Sequence, residues 1–258
     1  MSQSKRIWGW FFYDWACQPF YTLMLTFFFA PYFATVAADY FVASGMEIEA
    51  SKAKAQTMWS ICLSASGLFI GISAPILGAI ADTSGRRMPW IYVFSIMLIV
   101  GALGTWVGVP DGSNLTLMLY FFALGYIGTE FALIFTNAQL TTLGNQNEIG
   151  KISGSGFGFG YLGGVFALAI ALLFLVEQPN GTTFMLGIEP LFGFLNPENM
   201  EGTRFVGPLA AVWFIVFAIP YFKNMKDDPT LLNKINVGKG LKDLFQLLKG
   251  LKARKSLS

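Results

Sequence analysis

The sequence predicts an all-α membrane protein in which six transmembrane helices form one bundle. Hydrophobic residues make up 54% of the 258 residues and charged residues only 12%, which is more apolar surface than a soluble domain of this size can bury. The apolar residues form continuous runs long enough to cross about 30 Å of hydrocarbon. The basic residues, in turn, are concentrated in alternate loops.

Six runs reach the length of roughly 20 residues that a membrane-spanning helix needs. They cover about 8–38, 58–81, 88–109, 115–140, 152–176 and 205–222. The first run contains Asp14 and the fourth contains Glu130, and neither run has any other charge. Runs of this length argue against a membrane β-barrel, whose strands are short and alternate in hydropathy. The first run is also too long for the apolar part of a signal peptide, so it is predicted to be a retained helix.

The loop charges predict the orientation of the bundle. Of the 17 basic residues, all but Lys52, Lys54 and Arg204 fall on one side when successive loops are assigned to alternate sides. Basic loops remain in the cytoplasm, so both termini are predicted to be cytoplasmic. The predicted location is a bacterial inner membrane.

A short motif, GAIADTSGRRMPW, lies between the second and third runs. A tight hairpin at the membrane surface needs a turn glycine, here Gly85, and Arg86 and Arg87 would hold it on the cytoplasmic side. Asp82 could cap a helix or pair with an arginine. An ordinary basic loop would give the same pattern. The spacing of Gly78, Asp82, Gly85, Arg86 and Arg87 nevertheless resembles the signature loop of the major facilitator superfamily, although Thr83 stands where that family usually has Arg or Lys.

Four further stretches are similar to the vacuole-effluxer-like branch of that superfamily, which includes a fungal vacuolar amino-acid exporter. They are YDWACQPFY, TNAQL, GKISGSGFGFGYLGG and RFVGPLAAVWFIVFAIPYF. The commoner form of the first stretch has Asn and Ser in place of Cys17 and Gln18. The resemblance implies a twelve-helix secondary carrier built from two six-helix bundles, each a 3+3 inverted repeat. Residues 1–222 would be the first bundle and 223–258 the cytoplasmic linker.

The resemblance also implies the function. Such a carrier moves a small polar solute by alternating access, here with amino acids as candidate substrates. It needs no cofactor and no metal, and it is not an enzyme. Its partners are the solute, the lipid bilayer, and either a missing C-terminal six-helix half or a second copy of this chain. A truncated reading frame is the favoured explanation for the missing half. The alternative is a self-standing six-helix protein that dimerises or serves as a non-transporting membrane partner.

The two intramembrane carboxylates are the candidate binding residues. An acidic side chain that faces lipid costs at least about 2.5–3.5 kcal/mol, so Asp14 and Glu130 are predicted to face the bundle interior. Helical spacing places Gln18 and Tyr21 on the face of Asp14, and Tyr126 and Asn137 on the face of Glu130. In the resembled fold both helices line the central cavity, where these residues would bind substrate or couple protons. Glu130 is the preferred binding residue and Asp14 a gate or cytoplasmic anchor. A purely structural role in helix packing is the alternative for both.

Small residues predict two helix-packing faces. Gly156, Gly160 and Gly164 recur every fourth residue and form a smooth stripe on the fifth helix. The overlapping G-x-G-x-x-G pattern lacks the preceding strand and the later acidic residue of a dinucleotide site. The second helix carries a similar stripe of small residues: Ser60, Ser64, Gly67, Gly71 and Gly78.

The remaining features exclude several functional classes. The chain has no His, so imidazole takes no part in catalysis or metal binding. Cys17 and Cys62 lie in apolar runs and are predicted to be small core residues. An intramembrane aspartyl protease would need a second G-x-G-D signature, which is absent. Residues 238–255 have a basic amphipathic pattern, which predicts a helix on the anionic membrane surface and disfavours a nucleic-acid site.

Overall fold

The computed structural model describes residues 2–227 together with Gly238, Lys242 and Phe245. Six helical segments in this part of the chain are long and apolar enough to cross a membrane. We call them the first to sixth spans: Gln3–Ala43, Ile48–Ser84, Met88–Val107, Leu115–Thr142, Gln146–Phe174 and Glu201–Asn224. Among the described residues, the only extended pairing is an isolated bridge between Glu177 and Thr183. The predicted all-α, six-span fold class is therefore confirmed.

Several helices are longer than the apolar runs from which they are predicted. The second span begins at Ile48, so Lys52 and Lys54 lie on its first turns rather than in a loop. The side chain of Glu47 accepts a hydrogen bond from the Ala50 amide and starts this helix outside the apolar run. At the start of the fifth span, a capping box formed by Asn145 and Glu148 has the same effect.

The first span is not one uniform helix, although a single helix over 8–38 is predicted. It consists of an α-helix over Gln3–Pro19, a π-helical segment over Phe20–Phe27 and a second α-helix over Phe29–Ala43. Pro19 has no N–H to donate and ends the regular α-helical bonding pattern. The wider turns continue to Phe28, whose amide donates to the carbonyl of Leu23, five residues earlier.

Close helix contacts depend on glycines. On the fifth span, Gly156 and Gly160 face the first span, and a Cβ on Gly160 would overlap the carboxylate of Asp14. Gly101 of the third span lies directly against Gly125 of the fourth, which brings these two backbones together. The sixth span packs against the first and the third, so the first span lies between the fifth and the sixth.

The apolar part of the second span is the least buried of the six spans in the described structure. Only 6% of its most apolar window is buried inside the described structure, against 44% for the first span. No heavy atom from another part of the described chain lies within 4 Å of a Cβ placed on Gly67, Gly71 or Gly78. Neighbouring side chains, including Leu68 and Ile72, are also exposed. The small-residue stripe of this span thus faces away from the rest of the bundle.

The basic residues of the N-terminus and of two loops lie at one end of the bundle, which we call the basic end. Here Arg6 donates a hydrogen bond of 2.7 Å to the hydroxyl of Thr142, and Arg87 donates one of 3.0 Å to the carbonyl of Ala138. Lys151 lies nearby, beside Gln3 at the start of the first span. The predicted amphipathic tail helix lies outside the described residues apart from Gly238, Lys242 and Phe245.

Candidate functional site

A cavity of about 700 Å³ lies between the first, fourth and fifth spans. Five of the six residues predicted for binding line it: Asp14, Gln18, Tyr21, Glu130 and Asn137. Tyr126, the sixth, does not line the cavity, and its ring stacks on Phe122 at a centroid distance of 6.0 Å. The structure therefore brings together the polar faces of the first and fourth spans.

Two hydrogen bonds fix the carboxylates of the cavity. The Tyr21 hydroxyl donates to Glu130 Oε1 at 2.9 Å, which links the first and fourth spans. The Gln18 amide donates to Asp14 Oδ1 at 3.4 Å, one helical turn away on the same span. Asp14 and Glu130 are the acidic residues among the described lining residues, and none of those residues is Lys or Arg. The described wall of the cavity can accordingly accept protons or bind a cationic group.

Both carboxylates lie at a similar distance from the basic end. The first helix begins at Gln3, five residues before the start that hydropathy predicts, so Asp14 lies further along its helix than expected. At a rise of 1.5 Å per residue, Asp14 and Glu130 each lie roughly 15–20 Å along their helices from the basic end.

Several lining residues are missing from the prediction. Trp10 and Thr26 come from the first span, while Ser153, Phe157 and Tyr161 come from the fifth. Phe157 and Tyr161 are four residues apart, so their shared helical face is visible in the sequence. The glycine stripe of the same helix lies on a neighbouring face, because Gly156 and Gly160 each precede one of these aromatic residues by one position. Thr26 lies in the π-helical segment, where the wider turns change the angle between successive side chains, and hydropathy does not predict such a segment.

The loop at residues 78–90, which we call the signature loop because its sequence resembles the signature motif of the major facilitator superfamily, forms a charge pair at the basic end. Gly85 ends the second span in the left-handed conformation with φ of 64°, which suits a residue without Cβ. Arg87 Nη2 lies 2.7 Å from Asp82 Oδ1, and its other terminal nitrogen donates to the carbonyl of Ala138. Arg86 lies beside this pair, and its amide donates to Ser84 Oγ at 3.3 Å. Gly78 contributes no close contact within the described chain.

The sixth span joins the same network through residues that the sequence did not indicate. Asp227, just after this span, accepts hydrogen bonds from the amides of Arg87 and Met88. The buried hydroxyl of Tyr221 donates to Gln139 Oε1, and Gln139 in turn donates to the sulfur of Met88. The ends of the second, third, fourth and sixth spans therefore meet at the signature loop.

A second polar cluster lies at the opposite end of the bundle. Arg204, predicted to be a loop residue, is inside the sixth span and only 7% exposed. Its guanidinium donates to the Trp106 carbonyl at 2.7 Å and lies 4.5 Å from the centre of the Trp106 ring. Glu177 accepts hydrogen bonds from the Thr203 amide, with a shortest distance of 3.0 Å. Burial raises the pKa of the Glu177 carboxyl above its usual range, while these hydrogen bonds act in the opposite direction.

Comparison with known proteins gives one informative similarity. The chain is 25% identical over 224 residues to an uncharacterized MFS-type transporter of Bacillus subtilis, YxiO. The aligned region covers 86% of this chain and 47% of YxiO, so the chain spans about half the length of this relative. No protein-family model matches the chain, and no solved structure matches it either. The similarity supports a multi-pass membrane transporter of the major facilitator type; it does not distinguish among the branches of that superfamily.

Proposed function

We propose that this chain is one six-helix bundle of a secondary carrier that moves a small polar solute across the membrane by alternating access. The observation that carries the proposal is the cavity in which Tyr21 and Glu130 bond across two spans. Carboxylates inside a membrane protein are costly and commonly mark a substrate or proton pathway. The similarity to an MFS-type transporter supports the same function.

Amino acids are the candidate substrates in this proposal. Their ammonium group matches Asp14 and Glu130, while the cavity amides of Gln18 and Asn137 can bond to other polar groups of a solute. Their carboxylate would need a cationic partner, which the described lining does not provide. The second half of the carrier would have to supply that partner.

The exposed face of the second span is the proposed contact surface for that second half. Gly67, Gly71 and Gly78 leave room for a close helix approach, and nothing in the described chain occupies it. Either a C-terminal six-helix half or a second copy of this chain would fit this role. In both arrangements the basic end would face the cytoplasm, as the positive-inside rule expects.

Uptake measurements test the proposal. Membrane vesicles containing this chain together with the proposed second half are given a proton gradient and a panel of labelled amino acids. We expect accumulation that depends on the gradient and that disappears in Glu130→Gln, while Asp14→Asn reduces it. Glu198→Gln is the matched control, because this exposed carboxylate lies outside the cavity. Unchanged uptake in both cavity variants would refute proton coupling at this site, and absence of any uptake would favour a non-transporting membrane partner.

A further inference from the structure

Asp227 occupies an unusual position at the start of the third span. Its Oδ1 accepts hydrogen bonds from the amide of Arg87 at 3.0 Å and from that of Met88 at 3.1 Å. Its Oδ2 also lies 3.1 Å from the Met88 amide nitrogen. The capping carboxylate thus comes from the residues just after the sixth span, 139 and 140 positions away in the sequence.

The third span has no cap of its own. Its N-cap residue is Arg87, whose side chain has no acceptor and makes no capping hydrogen bond. Pro89, the second helical residue, lacks an N–H group. The amides of Arg87 and Met88 are therefore free to bond outside the helix, and a negative charge beside a helix N-terminus is electrostatically favourable.

By capping the third span, Asp227 also holds Arg87, the residue that connects the signature loop with the fourth span. Asp227 holds the backbone of Arg87, while the guanidinium of the same residue pairs with Asp82 and donates to the Ala138 carbonyl. The Arg87 side chain is 26% exposed, whereas that of Asp82 is 62% exposed. The position of this partly buried guanidinium therefore depends on how the Arg87 backbone is held.

We propose that Asp227 is a positioning residue of the signature loop. It caps the third span from outside that helix, and it thereby sets the position of the Arg87 guanidinium against the second and fourth spans. The end of the sixth span and the signature loop must then move together when the basic end changes conformation. This last consequence rests on the proposed carrier function, whereas the cap and the positioning of Arg87 do not.

Hydrogen exchange of the 258-residue chain in detergent tests the cap. We expect Asp227→Ala to speed exchange of the amides in residues 86–90 by about fivefold, the usual effect of losing a helix cap. Asp227→Asn should retain most of the protection, because Asn is also a good N-cap residue. Lys226→Ala, at the exposed neighbouring position, is the control. Equal exchange in the wild type and in Asp227→Ala would overturn the proposal.

Exchange at the end of the fourth span separates positioning from simple capping. If Asp227 acts through Arg87, then Asp227→Ala also speeds exchange in the turn Leu140–Thr142, because Arg87 loses its place beside Ala138. Arg87→Ala should give the same change, and the double variant should add nothing to it. If exchange in this turn is unchanged in Asp227→Ala, or if the double variant shows the sum of the two single effects, the positioning role is overturned. Because neither measurement depends on transport, failure of the carrier function and failure of this proposal are distinguishable.

Discussion

The hydrogen bond between Tyr21 and Glu130 connects two spans through single side chains. Its length is 2.9 Å, and Tyr21 lies in the π-helical segment of the first span. Hydrogen bonds to charged groups contribute about 1.5–3 kcal/mol, more than those between neutral groups. The phenol thus holds the Glu130 carboxylate at one place on the cavity wall.

We expect Tyr21→Phe to weaken transport without unfolding the bundle, since the aromatic ring is kept. Loss of about 1.4 kcal/mol in solute binding would raise the KM of uptake about tenfold. Tyr126→Phe is the matched control, because Tyr126 stacks on Phe122 and does not line the cavity. An equal rise in KM in both variants would contradict a specific role for the Tyr21 hydroxyl.

Single residues differ in how well their sequence context predicts their place. Asp14 and Glu130 stand out because a charge in an apolar run has few stable positions, all of them away from lipid. Arg204 lies at the edge of its apolar run, where a loop and a buried position look the same in sequence. Asp227 caps a helix that starts far away in the chain, and no local pattern marks such a contact.

At the scale of helices, the first and fifth spans can pack closely because glycines on the fifth span have no side chain. Gly156 lies against Trp10 and Phe11, Gly160 lies against Asp14, and Gly164 lies against Thr22. The four-residue spacing makes this stripe predictable as a packing face, but not its partner helix. The glycines that join the third and fourth spans, Gly101 and Gly125, are missing from the prediction, although Gly104 and Gly128 follow each of them by three residues.

Gly160→Ala should destabilise the bundle by about 1–3 kcal/mol, as expected when a methyl group is forced into a close contact. The added Cβ would also displace the Asp14 carboxylate from the fifth span. Thermal unfolding in detergent, followed by circular dichroism, measures the loss. Gly158→Ala lies on the same helix with no neighbour within 4 Å, so its stability should stay within about 1 kcal/mol of the wild type. Similar losses in the two variants would contradict the packing assignment.

At the scale of the whole molecule, the most prominent feature is the exposed second span. An apolar helix can face lipid, but the open positions at Gly67, Gly71 and Gly78 favour another helix. The second bundle of the proposed carrier would cover this face.

We expect a nitroxide spin label, attached in detergent to Gly71→Cys on this face, to collide freely with lipid-dissolved oxygen when the 258-residue chain is reconstituted as a monomer. With the proposed second bundle present, whether a C-terminal half or a second copy of this chain, the label should be shielded from oxygen. A label on Ser113→Cys, in an exposed loop, should respond equally in every form. A Cys62→Ala background is needed because Cys62 is a half-buried free thiol. Equal oxygen accessibility at Gly71→Cys in all forms would show that nothing covers this face.

The sequence predicts the number of spans and the residues that line the cavity better than it predicts the ends of the helices. Long apolar runs and isolated charges have few alternatives in a membrane, so the spans and the two carboxylates can be placed from composition and spacing. Caps such as Glu47 extend helices past the hydrocarbon, where hydropathy no longer carries information. Contacts such as that of Asp227 with Arg87 depend on tertiary structure alone.

The π-helical segment of the first span also has a consequence for comparing related sequences. A π-helical turn accommodates one residue more than an α-helical turn, so Phe20–Phe27 has the geometry of a one-residue insertion into an otherwise continuous helix. A relative with an uninterrupted α-helix here should lack one residue between Pro19 and Phe28. Its alignment with this chain then requires a single gap at that place. Without the gap, every position from Phe29 to Ala43 would be matched to the wrong face of the helix.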